Sequence, residues 1–152
     1  MIEDIKMLLN GVEISAYNLT PTNGTLNAIQ AFGGYKKTVT NDNKAIDGTR
    51  IVTTPDKRYK DKRTVILPFV LQTASLYELE RAKDQLEEVL KWGKDNTGIN
   101  ELYIPNLGKC YRLWLESIDK YTNFGACGIC TLQIKFTEPN PANRSIPAYI
   151  KH

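Results

Sequence analysis

The segment Ser75–Trp92 constrains this chain most, because it carries a full set of signals for one amphipathic helix. Ser75, followed three residues later by Glu78, spells a reciprocal capping box that satisfies two amides left orphaned at a helix start. Leu76, Leu79, Leu86, Val89 and Leu90 recur at helical spacing, with Ala82 and Lys83 filling the turn between them. Glu80, Arg81, Asp84, Glu87, Glu88 and Lys91 take the other side, so one stripe seeks a core while the opposite face stays wet. Lys91 complements the helix dipole, and Gly93 is placed to end the helix in a left-handed conformation. About 18 residues give a rod of roughly 27 Å, long enough to cross a small sheet.

The rest of the chain supplies strands for that sheet. In Thr64–Leu71, Val65, Leu67, Phe69 and Leu71 share one face, and Ile66 and Val70 lie on the other, so both faces are at least partly covered. Pro68 lacks an amide hydrogen and pushes this strand toward a sheet edge or a bulge. Glu101–Ile104 and Lys109–Glu116 read as two further strands, separated by a turn over Pro105–Gly108. A last strand alternates cleanly, with Cys130, Leu132, Ile134 and Phe136 opposed to Thr131, Gln133 and Lys135. Near the start, Asn10-Gly11 between Leu8-Leu9 and Val12-Glu13 predicts a hairpin, with Tyr17 and Leu19 continuing its second strand toward Pro21. Asn23-Gly24 reads as another turn, and Leu26–Phe32 fits either a helix or a strand. The expected fold class is α+β: a β-rich sandwich or barrel-like arrangement of antiparallel sheets with one main packed helix at about 75–92. Residues 1–141 are expected to form one domain and residues 142–152 a C-terminal tail, since the Pro-rich stretch from Pro139 onward shows little core signal.

Between Tyr35 and Arg63 the chain turns polar. Asn41, Asp42, Asn43, Asp47-Gly48 and Pro55-Asp56 precede a basic run of Lys57, Arg58, Lys60, Lys62 and Arg63 that encloses Tyr59. Few apolar anchors interrupt it, which predicts a long polar arm or hairpin over about 35–63, ordered by a partner rather than by its own core. The basic run and the acidic side of the helix are opposite in charge. Tyr35, Lys37, Lys57, Arg58, Tyr59, Lys60 and Arg63 on the arm, with Glu80, Asp84 and Glu87 on the helix, are therefore the candidate oligomer-interface residues. The alternative reading uses the 57–63 segment to bind a nucleic-acid backbone, with Tyr59 stacking on a base.

Other classes of function fare worse. A net charge of +3 over 152 residues does not make the concentrated basic face that nucleic-acid or anionic-membrane partners select. The longest apolar run, Val65–Leu71, is far short of the roughly 20 residues a bilayer span needs. Glu3 and Asp4 precede any apolar stretch, so no signal-peptide pattern is read and synthesis is expected in the cytoplasm. The single histidine is His152 at the terminus, whereas a catalytic base must be held to about 0.5 Å. Cys127-Gly-Ile-Cys130 has the spacing of a redox or zinc pair. It leads into a strand rather than a helix, however, and only Cys110 remains as a further thiol ligand, so these residues read as packing cysteines. Asp42, Asn43, Asp47 and Gly48 lack the spacing and closing glutamate of a calcium loop. No phosphate-binding, dinucleotide-binding or nucleophile-elbow motif is present. A non-enzymatic protein without cofactor or metal is expected.

In the order of these features the chain resembles the N-terminal domain of siphophage distal tail proteins. The likeness is carried by Leu8–Tyr17 as an opening strand–turn–strand and by Ile46-Asp47-Gly48-Thr49 with Tyr59 feeding the Arg63–Leu71 strand. The helix, Leu102–Tyr103, Gly108–Tyr111 and a final strand ending Phe136-Thr137-Glu138-Pro139-Asn140-Pro141 then follow in matching order. The resemblance covers roughly residues 6–141 and implies a β-rich fold with one helix, assembled as a hexameric ring of the virion tail together with other tail proteins. Many members continue into a carbohydrate-module-like second domain, whereas this sequence runs only about eleven residues past Pro141, so no receptor-adhesion role is carried over.

Overall fold

The computed structural model describes residues 5–33, 40–41, 50–51 and 61–150. Asn10 and Gly11 both take positive φ, 53° and 85°, the pair of values a two-residue hairpin turn requires. They join β1 (Leu8–Leu9) to β2 (Val12–Glu13) as the sequence predicts. Beyond β2 the expected strand continuation fails. Ile14–Tyr17 is a 3-10 turn, closed by Asn18 at φ 64°, and Ile14 is buried. Leu19–Pro21 forms a separate strand, β3, that pairs with a different neighbour.

Asn23-Gly24 is not a turn either. It lies in the first turn of α1 (Asn23–Gln30), which also resolves the ambiguous stretch after Leu26 as helix as far as Gln30. The helix starts here because Thr22 precedes it in extended conformation, and the hydroxyl of buried Thr25 accepts from the Thr22 amide at 3.0 Å. The Thr25 hydroxyl also donates to the Pro68 carbonyl, fixing α1 against the next long strand.

Thr40–Asn41 (β4) and Arg50–Ile51 (β5), within the polar arm, form an antiparallel pair of their own. The strand β6 (Arg63–Gln72) alternates as expected, with Val65, Leu67, Phe69 and Leu71 buried. Its other face is more open than expected at Ile66, which is 47% exposed. Pro68 lies one residue past the end of the β3 pairing, where β6 is locally an edge. The helix α2 spans Leu76–Trp92 with Ser75 as its N-cap. The Glu78 amide donates to Ser75 Oγ at 3.3 Å, while the Glu78 carboxylate accepts from the amide of Ala74, one residue earlier than the expected box. Gly93 ends α2 at φ 70° and ψ −166°, with its amide on the Val89 carbonyl.

Then come β7 (Ile99–Ile104), β8 (Lys109–Asn123) and β9 (Ile129–Glu138). The sheet is seven-stranded and antiparallel throughout, in the order β2-β1-β7-β8-β9-β6-β3. Laid flat, its end strands would stand about 29 Å apart at the usual strand spacing. Yet β2 and β3 sit at opposite ends and are joined only by the four-residue 3-10 turn and Asn18. So short a link reaches at most about 21 Å fully extended. The sheet must curl into a half-barrel, and Leu9 from one end and Leu19 from the other line one interior space with Ile14, Leu67, Leu113 and Phe136. Leu79, Ala82, Leu86 and Leu90 of α2 are buried with this core. Fully buried Asn100 on β7 donates to the Leu90 carbonyl at 2.8 Å, satisfying an acceptor the helix end leaves free.

Candidate assembly surfaces

The curled sheet and the α2 stripe bury most of the apolar residues of both elements against each other and leave the acidic side of α2 to solvent. Glu80, Asp84 and Glu87 are all exposed there. Glu80 forms an ion pair with Lys83 at 2.7 Å, and Lys83 in turn lies 4.4 Å from the centre of the Tyr121 ring on β8. Among the described residues Asp84 and Glu87 form no ion pair. An exposed i,i+3 pair contributes only about 0.3–0.5 kcal/mol, so this face keeps most of its negative charge available to a partner. Its first turn also exposes Leu76 and Tyr77, the latter 71% accessible with Arg81 beside its ring.

Of the predicted basic partners, Tyr35, Lys37, Lys57, Arg58, Tyr59 and Lys60 lie outside the described residues, as do the Asp42–Gly48 loop and His152. Arg63 is placed, and it points inward at 6% exposure. Its position follows from phase. It precedes Val65 by two residues on the inward face of β6 and stands directly opposite Glu138 on β9. Arg63 Nε donates to Glu138 Oε1 at 2.9 Å, and Arg63 Nη1 donates to the carbonyls of Ile29 and Ala31 at the end of α1. Arg144 reaches back to the same carboxylate, Nε to Oε2 at 2.9 Å and Nη2 to Oε1 at 3.0 Å. Glu138 is fully buried, and both guanidiniums lie over the Tyr111 ring, at 5.9 and 4.9 Å. The sequence reading missed this triad. Its signal was present in the two-residue phase that carries Phe136 to Glu138 and Arg63 to Val65, but charged strand ends are ordinarily read as solvated.

The strand edges offer less than expected. Beyond Trp114, β8 has lost β7 and pairs with β9 alone, leaving residues 115–123 as an open edge. That edge is bulged between Leu115 and Ser117 and again between Asp119 and Thr122, and carries Lys120 at φ 55°. Bulges and charges are how natural edges resist adventitious pairing. The β2 and β3 edges are two and three residues long.

The cysteines fall into separate environments. Cys110 and Cys130 are buried, the latter as the packing cysteine expected, whereas Cys127 is exposed in the turn between β8 and β9 and does not pack in the core. Burial pushes the Cys110 thiol up to about 11 against the opposing pull of Arg112, and burial likewise raises Cys130. Because the thiolate is the reactive form, a disulfide reagent such as DTNB should modify one thiol per native chain within minutes and all three only after denaturation. Two fast thiols would contradict the buried placement of Cys110 or Cys130. Among the described residues no group of three or more His, Cys, Asp or Glu is arranged to hold a metal ion.

No protein family and no curated protein matches the chain at the level of sequence. A solved structure does match: the Dit protein (gp 19.1) of SPP1, described as a paradigm of the hub adsorption apparatus in phages infecting Gram-positive bacteria. The chain shares the fold of part of that protein. The likeness covers 91% of this chain with a TM-score of 0.59 at 12% identity. This chain spans about half of the SPP1 chain, 51%.

Proposed function

We propose that this protein is a non-enzymatic structural component of a phage or prophage tail, a baseplate hub or tube-associated ring that acts by self-assembly. The Dit-like fold, extending over nearly the whole chain, carries the reading. It agrees with the order of motifs along the sequence, and the absence of clustered metal-ligand groups among the described residues is compatible with it. The resemblance to distal tail proteins supports a ring of six copies around the tail axis, next to other tail proteins in the virion. Within such a ring the basic run Lys57–Lys62 of one copy lies on the acidic outer face of α2 in the next, with Tyr77 as an apolar anchor beside it. Attraction of this kind fixes register and partner choice more than it adds affinity.

Zero-length carbodiimide cross-linking of a mixture of light and isotopically heavy protein tests the arrangement. Mixed-isotope links between Lys57, Lys60 or Lys62 and Glu80, Asp84 or Glu87 are expected, together with a closed oligomer by native mass spectrometry. The triple change Glu80→Lys, Asp84→Lys, Glu87→Lys should weaken association at least tenfold. A chain that stays monomeric at high concentration and gives only same-isotope links would refute self-assembly through these surfaces. The nucleic-acid alternative has lost Arg63, which the fold buries.

A further inference from the structure

We infer that Glu138 is a latch coupling the root of the polar arm to the C-terminal segment, so that loosening one loosens the other. The carboxylate touches both through a single shared atom. Oε1 accepts from Arg63 Nε at 2.9 Å and from Arg144 Nη2 at 3.0 Å, while Oε2 accepts from Arg144 Nε. On the arm side, Arg63 is the first residue of β6 and grips the other root of the arm as well. Its Nη1 holds the Ile29 and Ala31 carbonyls, and its side-chain methylenes lie against Gly33, where an added Cβ would stand 3.2 Å from Arg63 Cδ. On the other side, Arg144 anchors the segment that follows β9. That segment continues along β8, with its carbonyl accepting from the Cys110 amide at 3.1 Å and the Ser145 carbonyl accepting from Arg112.

The two arginines are not independent tethers. Arg144 holds Glu138 as a fork across both oxygens, which fixes the plane of the carboxylate and aims Oε1 at Arg63. Arg63 depends on that aim, because its Nη2 is buried without a hydrogen-bond partner. Both guanidiniums also share the Tyr111 ring. Loss of the fork frees the carboxylate to rotate, weakens the Arg63 contact and releases the end of α1. A neighbour that covers the arm and one that covers the C-terminal side would then sense each other through this buried group. The use of the latch in assembly rests on the proposed function, but the coupling belongs to the isolated chain and is measurable there.

Hydrogen exchange with mass-spectrometric readout on dilute monomer decides the point. Arg144→Met leaves the Arg63–Glu138 pair charge-balanced, so the fold is retained. In this variant amides in 28–33 are expected to exchange about tenfold faster, along with those in 139–150, although the side-chain hydrogen bonds of Arg144 go to Glu138 and none to 28–33. The buried stretch of α2, 79–90, should be unchanged. Faster exchange confined to 139–150 would overturn the coupling, and a uniform rise including 79–90 would reduce it to general destabilisation. Should Arg144→Met lose its near-ultraviolet dichroism, Arg144→Lys serves instead. It keeps the charge but not the fork, and the same pattern at smaller amplitude is expected. Because the measurement needs no oligomer, its failure is separable from a failure of the tail-assembly reading.

Discussion

Replacing Glu138 with alanine should cost about 3–5 kcal/mol of stability, the loss typical when a buried ion pair is broken from one side. Against the 5–15 kcal/mol available to a domain of this size, that is enough to leave the chain partly unfolded at 37 °C. The reason is asymmetric. Glu138 is fully buried, and its removal leaves two guanidiniums without a counter-charge, one of them only 6% exposed and holding carbonyls at the end of α1. Arg144, at 17% side-chain exposure, has a way out to water, and Arg63 does not. The expected shift in urea midpoint is about 2 M for a slope of about 2 kcal/mol/M. Glu138→Gln should fall between, since the amide oxygen still accepts but carries no charge. The triple change Arg63→Met, Glu138→Leu, Arg144→Met should lie nearer to wild type than Glu138→Ala, because removing all partners strands no charge. A Glu138→Ala variant within about 1 kcal/mol of wild type would show that both guanidiniums find water and that the triad is not a buried network.

That network marks the boundary of what the sequence makes legible. The helix α2 is readable because its caps, dipole charges and period agree, and Ser75, Leu79 and Leu86 each take the expected role, while Gly93 ends the helix at positive φ but with ψ −166°, outside the expected left-handed conformation. The inward faces of β6 and β9 are readable from alternation alone, and the first hairpin from Asn10-Gly11. The misreadings share one cause, local signals whose meaning is set by distant partners. Asn23-Gly24 is turn-like in isolation but lies behind a capping threonine whose helix is seated on Pro68. Tyr17 and Leu19 look like one strand, yet the chain has to cross from one end of a curled sheet to the other within that stretch. The exposure of Glu80, Asp84 and Glu87 follows from helical period, whereas the inward turn of Arg63 depends on its register with Glu138, a contact seventy-five positions away in the chain. Charge type located a surface; pairing decided which charges belong to it.

Gly128→Ala should be the most damaging single-methyl change in the hairpin between β8 and β9, at about 2–4 kcal/mol. Gly128 holds φ 83°, and an L side chain at such an angle costs about 1–2 kcal/mol before any contact is counted. The new Cβ would also stand 2.7 Å from Thr73 Oγ1 and 2.8 Å from both the amide nitrogen and the carbonyl oxygen of Ser75. A side chain can rotate away, but the Ser75 backbone cannot, because it caps α2. The Gly128 carbonyl accepts from the Thr73 amide and hydroxyl, so displacement of this residue is felt at the start of the helix. Cys127→Ala should change stability by no more than about 0.5 kcal/mol, since that thiol is exposed and its side-chain hydrogen bond is a weak donation to the Phe124 carbonyl. The pairing of these outcomes tests what Cys127-Gly-Ile-Cys130 is for. In a redox or metal motif the cysteines are the sensitive positions and the residue between them is tolerant. In this fold the order is reversed, because the glycine lets the hairpin pass close to the α2 cap while the two thiols face solvent and core. A sensitive Cys127 beside a tolerant Gly128 would overturn that assignment and reopen the thiol chemistry.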